Sequence, residues 1–209
     1  SENMRKRLFI PGPVEVRSDV LERMASPMIG HRTTEASDLQ HRIADKLRTI
    51  MYTTNEILLS TSSGSGLMEG AVRSCTAKRA AVFSIGAFGD RWFRMCTANG
   101  IPADLFSSEL GQPTTAEAVD NALSTGRYDL VTITHNETAT GVANSLDEFS
   151  PVFRRYPEVI VCVDAVSSLG GHRIETDRAG IDICITSSQK CLGLPPGLAL
   201  ASVSDKAYQ

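Results

Sequence analysis

Between residues 56 and 203 the chain alternates short apolar runs with longer helical patterns, and few folds accommodate that order. The runs fall at 56–60, 80–85, 103–106, 130–135, 159–164, 181–186 and 198–203, and amphipathic stretches at 66–77, 88–99, 115–124 and 146–156 separate most of them. Runs such as Val159-Ile160-Val161-Cys162-Val163 are apolar at consecutive positions, which suits a strand covered on both faces. A helix after each strand supplies the crossover that parallel neighbours need. The expected class is therefore α/β, a mostly parallel sheet with helices on both faces. The last two runs depart from the pattern, because only a loop holding Lys190, Pro195 and Pro196 joins them. Upstream, helices are expected at 18–25, with Ser18 as N-cap, and at 35–52, with Leu39, Ile43, Leu47 and Ile50 along one stripe. Residues 1–17 read as an N-terminal arm and 18–209 as one large domain, without internal repeat or low-complexity linker.

Composition removes several classes of function. Hydrophobic residues are 42% of the 209 and charged residues 22%, which suits a packed core and excludes disorder. The net charge of −3 gives no electrostatic reason to expect a nucleic-acid partner, and Arg91 and Arg94 read as a solvated helix face. The opening Ser1-Glu2-Asn3-Met4-Arg5-Lys6-Arg7 is polar, and Pro11-Gly12-Pro13 breaks the apolar stretch after it. Neither a secretory segment nor a membrane span is expected, so the default compartment is the cytoplasm. Cys75, Cys96, Cys162, Cys184 and Cys191 lack CxxC or regular spacing and read as free, mostly buried thiols; no metal site is expected.

Ligands of such sheets sit at the carboxyl ends of the strands, and polar or glycine-rich segments gather at five of those ends. They are Ser63-Gly64-Ser65-Gly66, Gly86-Ala87-Phe88-Gly89, His135-Asn136-Glu137-Thr138, Asp164, and Gln189-Lys190. Lys190 follows a buried strand, where an amine can hold pyridoxal phosphate as a Schiff base, although any one lysine is more often simply a surface residue. Ser65, Gly66 and Leu67 open a helix whose free amides and dipole suit a phosphate; a flexible Ser/Gly loop reads the same way. An ionised Asp164 would keep a pyridine nitrogen protonated, and it is equally compatible with a helix cap. Phe88 can cover one face of an aromatic ring or belong to the core.

Together with Ile10-Pro11-Gly12-Pro13, His135-Asn136-Glu137-Thr138-Ala139-Thr140-Gly141-Val142, Asp164-Ala165-Val166-Ser167-Ser168-Leu169-Gly170-Gly171 and Ser187-Ser188-Gln189-Lys190, these segments resemble the class V aminotransferases. The likeness is greatest to the alanine–glyoxylate and serine–pyruvate group. It implies an aspartate aminotransferase-like fold (fold type I), with 18–209 as the large domain that binds pyridoxal 5'-phosphate, and a homodimer. It implies transfer of an amino group from alanine or serine to glyoxylate or pyruvate. By the same resemblance Lys190 and Asp164 are catalytic: Lys190 carries the cofactor and shuttles a proton, and Asp164 pairs with the pyridine nitrogen. Val166 and Phe88 flank the ring, Phe88 standing where the group often has tryptophan. Ser65, Gly66, Leu67 and Gln189 face the phosphate, Thr138 the phenolic oxygen, and His135 and Asn136 support them. His31-Arg32 matches a stretch near the site mouth or dimer contact and reads equally as an exposed loop. By the same resemblance, family members continue past the position of Tyr208-Gln209 into a smaller C-terminal domain that binds the substrate carboxylate, and that domain is expected to be absent from this chain. Desulfurases or lyases of the same fold often have histidine before the lysine, where this chain has Gln189; that alternative stays open, as does an inactive cofactor-binding or dimerisation module.

Overall fold

A computed structural model describes residues 6–209, so residues 1–5 of the expected arm lie outside the described residues. Seven strands, β1 (Glu56–Ser60), β2 (Ala80–Ser84), β3 (Ala103–Ser107), β4 (Leu130–Thr134), β5 (Ile160–Asp164), β6 (Ile183–Ser187) and β7 (Ala199–Val203), form one sheet in the order β1-β7-β6-β5-β4-β2-β3. β3, β2, β4, β5 and β6 run parallel, and β7 is antiparallel to both of its neighbours. The exception foreseen at the last two runs is thus the one strand that follows its predecessor without a helix. Every residue of β2, β4, β6 and β7 is buried, whereas the edge strands β1 and β3 are partly exposed. Consecutive apolar positions track the interior of the sheet.

The helices are α1 (Ser18–Met24), α2 (Thr34–Met51), α3 (Gly64–Cys75), α4 (Ala87–Ala98), α5 (Ala116–Leu123), α6 (Leu146–Arg155), α7 (Thr176–Ala179) and α8 (Asp205–Tyr208). On one face, Met68 and Val72 of α3 and Trp92 and Cys96 of α4 pack with Leu130, Cys162 and Ile185. On the other, Met51 of α2, Val119 and Leu123 of α5 and Phe149 and Phe153 of α6 pack with Val131, Ile133, Val161 and Val163. Each large side chain so buried contributes about 1.5–3 kcal/mol relative to exposure. None of the helices is long and apolar enough to cross a membrane, among the described residues.

Three local expectations change. Ser18 is the first residue of α1 rather than its cap; Arg17 occupies that place and makes no side-chain cap bond. The stripe on α2 is only half right: Leu47 is buried and Ile43 partly so, but Leu39 and Ile50 are exposed, and Ala36 and Met51 are buried instead. Cys96, Cys162 and Cys184 are buried, but Cys191, beyond the last helix-covered strand end, is exposed. His31 and Arg32 lie in an exposed turn that ends at Thr33, the N-cap of α2.

Candidate active site

The parallel register sets Thr134 beside Asp164, and Asp164 beside Ile185, so the carboxyl of Asp164 emerges at the centre of the sheet's carboxyl edge. Aspartates at the opposite edge are saturated by the fold. Asp129 accepts the amides of Ala77, Lys78 and Arg79, and Asp182 accepts Val161 N, the Ser204 hydroxyl and the Lys206 amine. Asp164 accepts one bond among the described residues, from Val166 N to Oδ1 at 2.9 Å, although the residue is only 4% exposed. Its pKa is raised to about 6, chiefly by burial and less by Glu137, against the downward pull of the Val166 amide, Arg91 and Lys190. An acceptor kept dry and short of donors at the centre of a ligand-binding edge can hold a proton against a cationic partner.

Lys190 sits on the loop between β6 and β7, which Ser188 pins. Ser188 N donates to Leu198 O at 2.9 Å, its hydroxyl donates to Pro195 O at 2.7 Å, and its carbonyl accepts Leu194 N at 2.9 Å. The N-terminal arm crosses this loop: Val14 N donates to Gln189 O at 3.0 Å, and Gly12 lies against the Lys190 side chain. A Cβ on Gly12 would stand 2.6 Å from Cδ and 2.9 Å from Cε and Nζ of Lys190. Lys190 is partly buried and within electrostatic reach of Asp164.

Starting at Gly64 rather than at 66, α3 brings Gly64 and Ser65 to its first two positions, while Gly66 N donates to Ser63 O at 3.0 Å. Leu67 turns its side chain into the core, as does Val166, whose Cγ2 would be 2.7 Å from a Cβ on Gly64. That contact joins the α3 terminus to the residue two beyond Asp164. Phe88 is the second residue of α4, and Thr138 sits in the turn closed by Glu137 N donating to Val142 O at 2.9 Å. His135 and Asn136 bind the segment after Asp164: Nδ1 of His135 lies 2.7 Å from the Ser168 hydroxyl, and Asn136 Nδ2 donates to Ser167 Oγ at 3.0 Å. Burial first, and His172 second, lower the His135 pKa to about 4, so its ring is neutral at neutral pH.

Arg91 is exposed, as a solvated helix face requires, and it also lies 4.8 Å over the Phe88 ring, donates to Ser65 Oγ at 3.1 Å and acts on Asp164. Its three-residue offset from Phe88 on a helix was the available signal. The Gln189 side chain and the Thr138 hydroxyl are on the same edge, but neither forms a hydrogen bond with another of these groups among the described residues.

The aminotransferase class-V family pattern matches residues 30–209. An uncharacterized aminotransferase of Methanocaldococcus jannaschii is 40% identical over 99% of this chain and 54% of its own length. The alanine–glyoxylate aminotransferase of Rattus norvegicus is 34% identical over 97% and 50%. A Synechococcus protein at 35% over 97% and 54% bears a different name, the small subunit of a soluble hydrogenase. The crystal structure of alanine–glyoxylate aminotransferase from Nostoc sp. superposes with a TM-score of 0.89 at 28% identity, over 95% of this chain and 53% of that one. The chain spans about half the length of the curated relatives it matches. Sheet order, strand-end polar groups and the match over residues 30–209 agree with one another, and the chain belongs to the class V aminotransferase family.

Proposed function

We propose that this chain is the cofactor-binding part of a transaminase that uses pyridoxal phosphate to move an amino group from alanine or serine to glyoxylate or pyruvate, as a homodimer. The observation that carries the reading is Asp164, a buried carboxyl with one hydrogen-bond donor, in electrostatic reach of the Lys190 amine. These groups fit the cofactor: an acceptor for a ring nitrogen, an amine for an aldehyde, and a helix terminus for a phosphate. Bound pyridoxal phosphate supplies an electron sink that acidifies the Cα proton of an amino acid.

The protein's own share is positional and electrostatic. Lys190 would hold the cofactor and, once displaced by substrate, take the proton from Cα and return it elsewhere; the arm at Gly12 limits where its amine can go. Asp164, with a pKa near 6, is ionised at neutral pH and would hold the ring nitrogen's proton. Gly64 and Ser65 amides would face the phosphate with Gln189, whereas Gly66 N is turned to Ser63 O, and the Arg91 guanidinium would add positive charge there. Phe88 and Val166 would bound the two ring faces, and the Thr138 hydroxyl would face the phenolic oxygen. The names of the rat and Nostoc relatives support alanine as donor and glyoxylate as acceptor. In single-turnover mixing of the full-length protein, alanine or serine is expected to bleach the cofactor's visible band with release of pyruvate or hydroxypyruvate. Glyoxylate or pyruvate then restores it. Release of sulfane sulfur from cysteine, with alanine and serine inert, would replace this reading with the desulfurase one.

A smaller prediction concerns the arm. In Gly12→Ala the new methyl displaces the flexible end of Lys190, and the backbone at φ +153° disfavours any side chain. Misplacing the amine by about 1 Å is expected to slow amino transfer on the order of 10²-fold. Stopped-flow half-reactions check this; an unchanged rate would show that the arm does not constrain the lysine.

A further inference from the structure

We propose that Glu137, to which no part in holding the cofactor has been given so far, is a positioning residue that joins the Phe88 ring and the Thr138 turn into one unit. This rests on the transaminase reading above. Glu137 is 0% exposed, among the largest fully buried side chains of the molecule. Burying a carboxyl costs stability unless donors meet it. Two backbone donors do: Phe88 N reaches Oε1 at 2.8 Å and Ala139 N reaches Oε2 at 3.4 Å.

The Phe88 contact is a helix cap supplied from a distance. Phe88 holds the second position of α4, where a capping side chain normally receives the free N–H, but the N-cap here is Gly86 and offers none. Glu137, 49 residues away, takes that bond. Gly86 makes the approach possible, since a Cβ there would lie 2.7 Å from both Cγ and Oε1 of Glu137. The acid also meets the positive end of the α4 dipole. Through its backbone, Glu137 closes the turn that carries Thr138: its N donates to Val142 O at 2.9 Å and its carbonyl accepts Gly141 N at 2.7 Å. One residue thereby fixes the start of α4, and with it the Phe88 ring, relative to the Thr138 hydroxyl.

A charge effect accompanies these contacts. The charged groups acting on Asp164 are Arg91 and Lys190, which favour its ionised form, and Glu137, which opposes it. Removing the Glu137 charge therefore moves the Asp164 titration to lower pH, while removing its oxygens frees Phe88.

Two variants of the full-length protein separate these effects. Glu137→Gln keeps an oxygen for Phe88 N and loses the charge; Glu137→Ala loses both. With pyridoxal phosphate bound, Glu137→Ala is expected to bind about tenfold more weakly, as loss of one such hydrogen bond predicts. It is also expected to lose most of the cofactor's visible circular dichroism, and Glu137→Gln to restore that signal. In Glu137→Gln the acid limb of the half-reaction profile shifts to lower pH. In cofactor-free protein, hydrogen exchange at the Phe88 amide accelerates in the alanine variant and not in the glutamine one. If the alanine variant does not fold, Glu137→Asp, whose shorter side chain draws the oxygens back from Phe88 N, decides by the same exchange measurement. Wild type that takes up no cofactor overturns the transaminase reading. Wild type that does, with native Phe88 exchange or a native dichroism signal in Glu137→Ala, overturns the role of Glu137 alone.

Discussion

Lys190→Ala is expected to abolish covalent capture of pyridoxal phosphate and to lower amino transfer by about 10⁴-fold or more, since the substitution removes both the cofactor's attachment and the proton carrier. Borohydride treatment of the loaded wild type, digestion and mass spectrometry should find the tag on one peptide, the one containing Lys190. Lys206→Ala is the matched control. Its amine pairs with Asp182 at 3.0 Å and with the carbonyls of Pro157 and Val159, near the start of β5 and far along the sheet from the candidate site. A tag on another lysine, or normal turnover in Lys190→Ala, would remove the central assignment.

Asp164→Asn should leave the fold and cofactor binding largely intact. The amide is close in size, and its oxygen can still accept Val166 N. What disappears is the negative charge opposite the ring nitrogen, and the expected loss is on the order of 10³-fold in the half-reaction, about 4 kcal/mol of barrier. The pH dependence carries a second signature. In the cofactor-free protein the folded pKa of about 6 lies above the ordinary value of 3.8, so the ionised form is lost there as pH falls through 6. A protonated ring nitrogen opposite the carboxylate lowers that pKa, so the acid limb of the loaded wild type should lie below pH 6 and should vanish in Asp164→Asn. The linkage to stability has the opposite sense: the folded state binds the proton more tightly than the unfolded one, so Asp164 ionisation costs stability as pH rises from about 4 through 6. A near-normal half-reaction in the variant would mean that another group holds the nitrogen.

The sheet was legible because its signal is local. Five consecutive buried residues in β2, β4 and β6 leave an unbroken apolar or small-residue run, and the turn chemistry after each run marks the strand end. Asp164 and Lys190 were legible for the same reason, as polar residues that end or follow such runs. Helix edges were less so: Gly64 and Ser65 belong to α3 although glycine and serine favour loops, because Val166 packs against Gly64 and holds the turn in place. Contacts made at long sequence separation were not legible at all. Arg91 meets Ser65 across 26 residues, Glu137 meets Phe88 across 49, and Gly12 meets Lys190 across most of the chain. No spacing rule reaches that far. Leu39 and Ile50 failed for a related reason: periodicity shows which face of a helix is apolar, and only the packing decides how much of that face is covered.

The place of β7 in the sheet has a consequence for how the molecule assembles. β1 lies at the edge, and its one neighbour in the sheet is the strand that comes last in the sequence. Until synthesis reaches β7, β1 has nothing to pair with, and the segment 61–63 that leads into α3 has no fixed address. Closing that pairing brings together residues 139 to 147 positions apart, the slow kind of contact in folding. The corner of the candidate site at the start of α3 is therefore the last part to be put in register, although it is encoded near the beginning of the sheet.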